Sequence, residues 1–300
     1  MKYFKLNSGM SLPCLGFGPG VLYPITYEAH DRTLSLLQKI YEKYKRYQQK
    51  NIYIDSVTWA INNGYTLIDY ASAYQREDLV REGIRRSGVL PSSLILTERI
   101  SNSAQIEHCV RESFFASIEK LGVQKVNILM FHFPITNVFI GTYKEMLQLK
   151  KEGYCDILGV ANCNIHHLEE IIKETGDIPE INQIEVHPLF TQKPLLEYCQ
   201  KKGILVEAYT PLARMDDRLF RIPILIDIAR RHRKKMTQII LRWHIQNGVI
   251  PVFRSMSSER QMENMDIFDF ELSQEEMKII DSFNINSRLR FDPDNYDMYL

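Results

Sequence analysis

The sequence predicts a (β/α)8 TIM barrel of the α/β class. Three observations carry that expectation. Eight short apolar, β-branched runs recur along the 300 residues, most of them separated by one helical pattern. The runs are nearly continuous in apolar character, as in parallel strands covered on both faces. Their ends carry polar and charged residues, and in such a barrel the strand C-termini share one mouth.

In chain order the runs are LPCLGFG (12–18), TLIDYA (66–71), LILTER (94–99), VNILMFH (126–132), DILGVAN (156–162), INQIEV (181–186), ILVEAY (204–209) and VIPVF (249–253). After the first run, residues 19–50 break the rhythm as an inserted helical segment. Within it, 32–48 carries Leu34, Leu37, Ile40, Tyr41, Tyr44 and Tyr47 at helical spacing, predicting an amphipathic helix packed on the barrel. An insertion after a barrel strand emerges at the catalytic face, where it can wall a substrate pocket. Lys43, Lys45, Arg46 and Lys50 read as its solvated face. A separate helix is expected over 53–65. Residues 102–122 place Ile106, Val110, Phe114, Ser117 and Leu121 on one helical stripe, capped by Ser101 or Asn102. The helix in TQKPLLEYCQKKG ends at Gly203, a C-terminal cap. The whole chain, 1–300, is expected to be one barrel domain. The competing doubly wound sheet needs G-x-G-x-x-G after its first strand, and GFGPGV has Val21 at the third glycine.

Lys+Arg and Asp+Glu balance at 37 each, so nothing points to a nucleic-acid binder. Cys14, Cys109, Cys155, Cys163 and Cys199 show no C-x-x-C spacing. They read as reduced thiols of a cytoplasmic protein, not a disulfide frame or a zinc site. No segment is long and apolar enough to cross a membrane.

The strand ends bring Asp69, Arg99, His132, Asn162, Gln183 and Tyr209 toward one mouth. Singly, these read as a helix cap, a core histidine or a packed ring. Together they gather an acid, a cation, an imidazole, two amides and an aromatic face, which packing alone does not explain.

Six stretches in the right order resemble the aldo-keto reductase family. They are GYTLIDYASAY, NILMFHFP, LGVANCN, INQIEVHP, EAYTPL and FRSMSSERQMEN, and the ending RLRFDPDNYD is similar to the family's C-terminal loop. The resemblance implies NADPH-dependent reduction of aldehydes or ketones by a monomer, through an Asp, Tyr, Lys and His tetrad. The matching positions are Asp69, Tyr74, Arg99 (in place of the lysine) and His132. Tyr74 would protonate the oxygen that receives negative charge as hydride reaches carbon. A cation favours the phenolate, Asp69 would balance that cation, and His132 would orient the substrate. The resemblance also places Asn162 and Gln183 on the nicotinamide carboxamide and Tyr209 on its ring. It places Thr210 and Leu212 near the pyrophosphate, and Arg254, Ser255 and Arg260 around the 2′-phosphate. Glu263 and Asn264 fall near the adenine. Where the family has serine beside the asparagine, this chain has Ala161.

Two other functions fit parts of the sequence. Arg99 and Ala161 suggest an NADPH-binding protein with weak or no turnover, a sensor or interaction subunit. His166 and His167 raise a metal hydrolase, but adjacent residues are expected to diverge on a helix, and no H-x-H or H-E-x-x-H spacing exists.

Overall fold

The computed structural model describes residues 2–21 and 36–299. Tyr3–Lys5 (β1) and Ser11–Pro13 (β2) form an antiparallel hairpin ahead of the barrel. Leu6 and Leu12 from this hairpin are buried against Leu67, Ile128, Ile157 and Ile250, so it plugs one end of the barrel. The first barrel strand is only Gly16–Phe17 (β3). The single strand expected over 12–18 is therefore split. Pro13 has no N–H for a ladder, and Cys14 N turns back to Lys2 O at 3.0 Å.

The remaining elements are Leu36–Asn62 (α1), Leu67–Asp69 (β4), Glu77–Ser87 (α2), Ile95–Ile100 (β5), Asn102–Ile106 (α3), Val110–Leu121 (α4), Val126–Phe131 (β6), Phe139–Lys151 (α5), Cys155–Ala161 (β7), Ile165–Thr175 (α6), Ile181–Glu185 (β8), Lys193–Lys202 (α7), Leu205–Tyr209 (β9), Asp217–Phe220 (α8), Pro223–His232 (α9), Met236–Gln246 (α10), Val249–Phe253 (β10), Ser258–Met265 (α11) and Gln274–Asp281 (α12). Strands β3 to β10 pair in parallel in chain order, and β10 returns to β3 to close the barrel. The fold is the expected (β/α)8 barrel.

Side chains alternate across each strand, so one strand feeds two cores. On β6, Ile128 and Met130 join the interior cluster, whereas Leu129 and Phe131 join the layer shared with the helices. The same alternation turns Arg99 and Glu98 of β5 to opposite faces.

Three helical expectations change. The separate helices at 32–48 and 53–65 are one continuous helix, α1, from Leu36 to Asn62. No glycine or proline lies between them to break it. Leu34 lies outside the described residues. The side chain of Leu37 does too. Ile40, Tyr41, Tyr44 and Tyr47 are 54–64% exposed, so this part of the stripe predicted to pack on the barrel faces water. Burial begins further along, with Tyr53, Ile54, Val57, Ala60 and Ile61. Helical spacing creates a face; it does not say how far the barrel surface extends. The helix expected over 102–122 is broken between α3 and α4, where His108 adopts φ 53° and Ile106 is left exposed. Ser101 is the cap, accepting a hydrogen bond from Ala104 N at 3.2 Å. Helix α7 ends at Gly203 as expected. Among the described residues, no helix is long and apolar enough to cross a membrane.

Helices α1 and α2 touch through Gly83. A Cβ there would sit 2.6 Å from Val57 Cβ and 2.9 Å from Ile54 O. The same approach lets Thr58 Oγ1 donate to Gly83 O at 3.0 Å. Gly83→Ala should therefore lower unfolding stability by about 1–3 kcal/mol, the usual cost of overpacking. Chemical denaturation checks this, and an unchanged midpoint would show that the helices separate freely.

Candidate active site

Strand β4 ends in Asp69, inside the barrel and 5% exposed. A carboxylate there needs a partner. Strand β5 supplies it: Arg99 Nη2 lies 2.9 Å from Asp69 Oδ2. The same Nη2 donates to the Tyr74 hydroxyl at 3.0 Å. Tyr74 is held in reach by the 3-10 turn Ser72–Tyr74. Ser72 N donates to Glu98 Oε1 at 3.2 Å and Ser72 Oγ to Arg99 O at 3.0 Å, tying that turn to β5.

The guanidinium's other terminal nitrogen, Nη1, donates to Gln183 Oε1. Gln183 Nε2 in turn donates to Asp69 Oδ1 at 3.1 Å and to Glu207 Oε2 at 2.8 Å. Burial raises the Asp69 carboxyl above its ordinary value, opposed by the Arg99 charge and the Gln183 bond. Burial opposes the charge of Arg99, but Asp69, Tyr74 and Glu207 together hold it cationic.

His132, just past β6, stands edge-on to Tyr74 with ring centroids 6.1 Å apart. Burial, then the Arg99 and Arg290 charges, push its imidazole down to about 3, so it is neutral at physiological pH. Asn162 follows β7 in the left-handed region at φ 61°, which asparagine tolerates. Its Nδ2 donates to His132 O at 2.8 Å, and its Oδ1 accepts from the Tyr209 hydroxyl at 2.5 Å.

These groups line a cleft of about 420 Å³. Of the residues singled out in the sequence, Asp69, Tyr74, Arg99, His132, Asn162, Gln183, Tyr209, Thr210, Leu212 and Arg254 border it. Ser255, Arg260, Glu263 and Asn264 do not. Ser255 is buried and donates to Ser257 O at 3.1 Å. Arg260 is exposed in the first turn of α11, Glu263 is paired with Lys235, and Asn264 is buried. Of the segment 19–50, Gly20 borders the cleft; residues 22–35 lie outside the described residues, and none of the side chains described between 40 and 50 reaches it.

The lining suits a phosphate-bearing ligand. Thr210 Oγ1 is buried on the cleft wall with no partner among the described residues, a hydroxyl left over for a ligand. Arg214 and Arg254 border it with no ion-pair partner among the described residues. A Cβ at Gly20 would meet Arg254 Cδ at 3.2 Å, so the glycine leaves that side chain its place.

A family model described as "Aldo/keto reductase family" matches residues 39–285. The chain belongs to the aldo-keto reductase family. A glyoxal reductase of Bacillus subtilis (strain 168) is 40% identical over 240 residues, covering 80% of this chain and 86% of the relative. The methylglyoxal reductase DkgA of Escherichia coli (strain K12) is 33% identical over 294 residues and 97% of both chains. A Bombyx mori aldo-keto reductase solved in complex with NADP superposes with a TM-score of 0.81 at 29% identity, covering 99% of this chain and 97% of that one. The family is one of oxidoreductases acting on carbonyl compounds.

Sequence reading missed several residues in and behind this aldo-keto reductase's site. Glu207 and Glu98 interrupt apolar runs, a signal that was available in ILVEAY and LILTER. Neither borders the cleft; Phe133, Arg214, Met215 and Arg290 do, and no periodicity marks them. Arg290 is placed by Glu185, whose carboxylate accepts from Leu289 N at 2.6 Å and Arg290 N at 3.0 Å. The expected divergence of His166 and His167 is also corrected. Their ring centroids are 4.0 Å apart, and both Nε2 atoms face Asp294 Oδ1, at 3.2 and 3.7 Å. They converge because His167 folds back onto the helix cap, its Nδ1 accepting from Asn164 N at 3.1 Å.

Burial pushes Glu98 up to about 8 and Glu207 up to about 7. In the unfolded chain both titrate near 4.5. Between these values the folded protein binds more protons, so stability falls as pH rises from about 4.5 to 8. The buried imidazoles of His132 and His244, both down to about 3, act oppositely and only below about 6.5. Glu98→Gln should therefore flatten the decline of unfolding free energy above neutral pH. Denaturant titrations at a series of pH values measure it, and a slope equal to the parent's would refute the assignment.

Proposed function

We propose that this aldo-keto reductase reduces aldehydes or ketones with NADPH, Tyr74 acting as the general acid. One observation carries the reading: a single guanidinium nitrogen of Arg99 meets both the Asp69 carboxylate and the Tyr74 hydroxyl. Hydride adds to the carbonyl carbon while the C=O π pair takes the Tyr74 proton, giving an alcohol. Tyr74 is left as a phenolate beside Arg99, and Asp69 keeps the buried cation neutralised. Neutral His132 aims a hydrogen bond at the carbonyl oxygen. The bound dinucleotide supplies the hydride.

Asn162 and Gln183 would hold the nicotinamide carboxamide, and Tyr209 would stack on the ring. Thr210 and Leu212 would meet the pyrophosphate. Arg254, Ser255 and Arg260 would take the 2′-phosphate, with Glu263 and Asn264 toward the adenine. The names of the two bacterial relatives make glyoxal and methylglyoxal the first carbonyls to try. The alternative, an NADPH binder with little turnover, draws support from Asn162 and Gln183. Both amides already have protein partners.

Loss of NADPH absorbance with a panel of aldehydes separates the two readings. Tyr74→Phe should lower kcat by roughly 10²–10⁴-fold, the usual worth of a general acid. Arg99→Met should cost less, because the proton donor remains, and NADPH affinity should change little in either. Arg99→Lys should also be slower than the parent, because an ammonium is a point charge and the fork here has three partners. A parent that binds NADPH but reduces no carbonyl, and stays inert as Arg99→Lys, would leave the binder reading.

The cofactor assignment has its own measurement. NADPH should bind at least tenfold more tightly than NADH, about 1.4 kcal/mol. Arg254→Ala and Arg260→Ala should each narrow the gap. Fluorescence-quenching titrations returning equal affinities for both nucleotides would remove the 2′-phosphate pocket.

A further inference from the structure

Glu207 is wholly buried on the barrel interior, and the reduction as derived does not use it. Its Oε2 accepts from Gln183 Nε2 at 2.8 Å; its Oε1 has no partner among the described residues. The charged groups facing it are Asp69 from β4 and Arg99 from β5. Its register neighbours on β8 and β10 are the uncharged Gln183 and Ile250.

Two consequences follow from this geometry. First, Glu207 joins Asp69 and Arg99 in holding the orientation of Gln183, taking the second N–H of its amide. An amide set between a guanidinium on one side and the oxygens of two carboxyl groups on the other turns its N–H groups to those oxygens and its own oxygen to the guanidinium. That oxygen is what Arg99 Nη1 finds, and a buried N–H without an acceptor is costly. With Nη1 fixed, Nη2 is left facing Asp69 and Tyr74. A lysine would have no second nitrogen needing this support. Second, the network holds two carboxyl groups and one cation. Both cannot carry charge in a dry interior without leaving one negative charge uncompensated. Asp69 has the direct ion pair, so Glu207 is the group that keeps a proton.

We propose that Glu207 is a positioning residue for the reduction. It fixes the Gln183 amide, and through it the guanidinium fork that faces Tyr74. The inference rests on the reductase reading above. Ionising Glu207 adds a second negative charge behind Arg99. The cation is then less able to stabilise a phenolate at Tyr74, and proton donation weakens. The group sits near neutrality, pushed up by burial, so reduction should decline as pH rises through about 7.

The test compares the parent with Glu207→Gln and Glu207→Leu. Glutamine keeps an acceptor for Gln183 Nε2 but cannot ionise, so the decline of kcat should move to higher pH. Leucine removes the acceptor, so kcat should fall by about tenfold, within the range of a weakened general acid. KM for NADPH should change less than kcat in both, because the phosphate and adenine contacts are untouched. A merely structural role would lower stability without moving the pH profile. Superposable profiles for parent and Glu207→Gln, with kcat retained in Glu207→Leu, would overturn the proposal. Should Glu207→Gln fold poorly, Glu207→Asp is the second variant. It is too short to hold Gln183 but still ionises, so it should lose rate and keep the decline; full rate would count against the proposal. A second readout needs no turnover. The ultraviolet difference between each protein and its Tyr74→Phe counterpart reports ionisation of Tyr74. Glu207→Gln should shift that ionisation to lower pH, and an unmoved titration would overturn the inference. If no carbonyl is reduced but the titration shifts, the reductase reading fails and the coupling stands.

Discussion

The ion pair between Asp69 and Arg99 is the constraint on which the rest of the mouth depends. Both side chains are almost removed from water, at 6% and 4% exposure. Desolvating two charges is expensive, and their attraction offsets it only when the geometry is good and the remaining hydrogen-bonding capacity is used. Here both terminal nitrogens of the guanidinium are used, one on Asp69 and Tyr74, the other on Gln183, and Nε is left without a partner among the described residues. Closure of the barrel makes this possible, because residues from β4, β5 and β8 meet across its interior. Tyr74 could not be held by its own short turn alone, and the two bonds from Ser72 anchor that turn to the strand carrying the arginine.

The barrel was legible because its signal is repetitive. Eight apolar runs tolerate the loss of most of one, as β3 shows. Asp69, Arg99 and His132 were legible because each stands where an apolar run stops, which is where a barrel strand reaches its mouth. Glu98 and Glu207 lie within runs. There the face is decided by alternation and by register with the neighbouring strands, which one sequence does not display. Adjacent Glu98 and Arg99 make the point: one faces the helix layer, the other the barrel interior. Arg290 was hidden for another reason. It sits in an irregular segment whose position is set by Glu185, some hundred residues earlier in the chain.

The residues on and before α11 show where sequence resemblance and geometry differ in reach. Arg254 borders the cleft. Ser255 and Asn264 are buried, Arg260 is exposed, and Glu263 is paired with Lys235. Short stretches of similar sequence mark such positions together because they are neighbours in the chain. The fold separates them by turning the segment from strand to helix between Phe253 and Ser258.

Helix α1 has a consequence for how the molecule breathes. Its second half is packed, from Tyr53 to Ile61, while its first half presents Ile40, Tyr41, Tyr44 and Tyr47 to water. At 1.5 Å per residue, 27 residues make a rod about 40 Å long, anchored along one part of its length. An unpacked helical stretch has only its own backbone bonds to resist fraying. Its amides therefore open far more readily than those beside Val57, although one unbroken ladder joins them. Hydrogen exchange along this single helix is thus expected to run from nearly local unfolding around Tyr41–Tyr47 to the protection of the barrel core at Tyr53–Ile61.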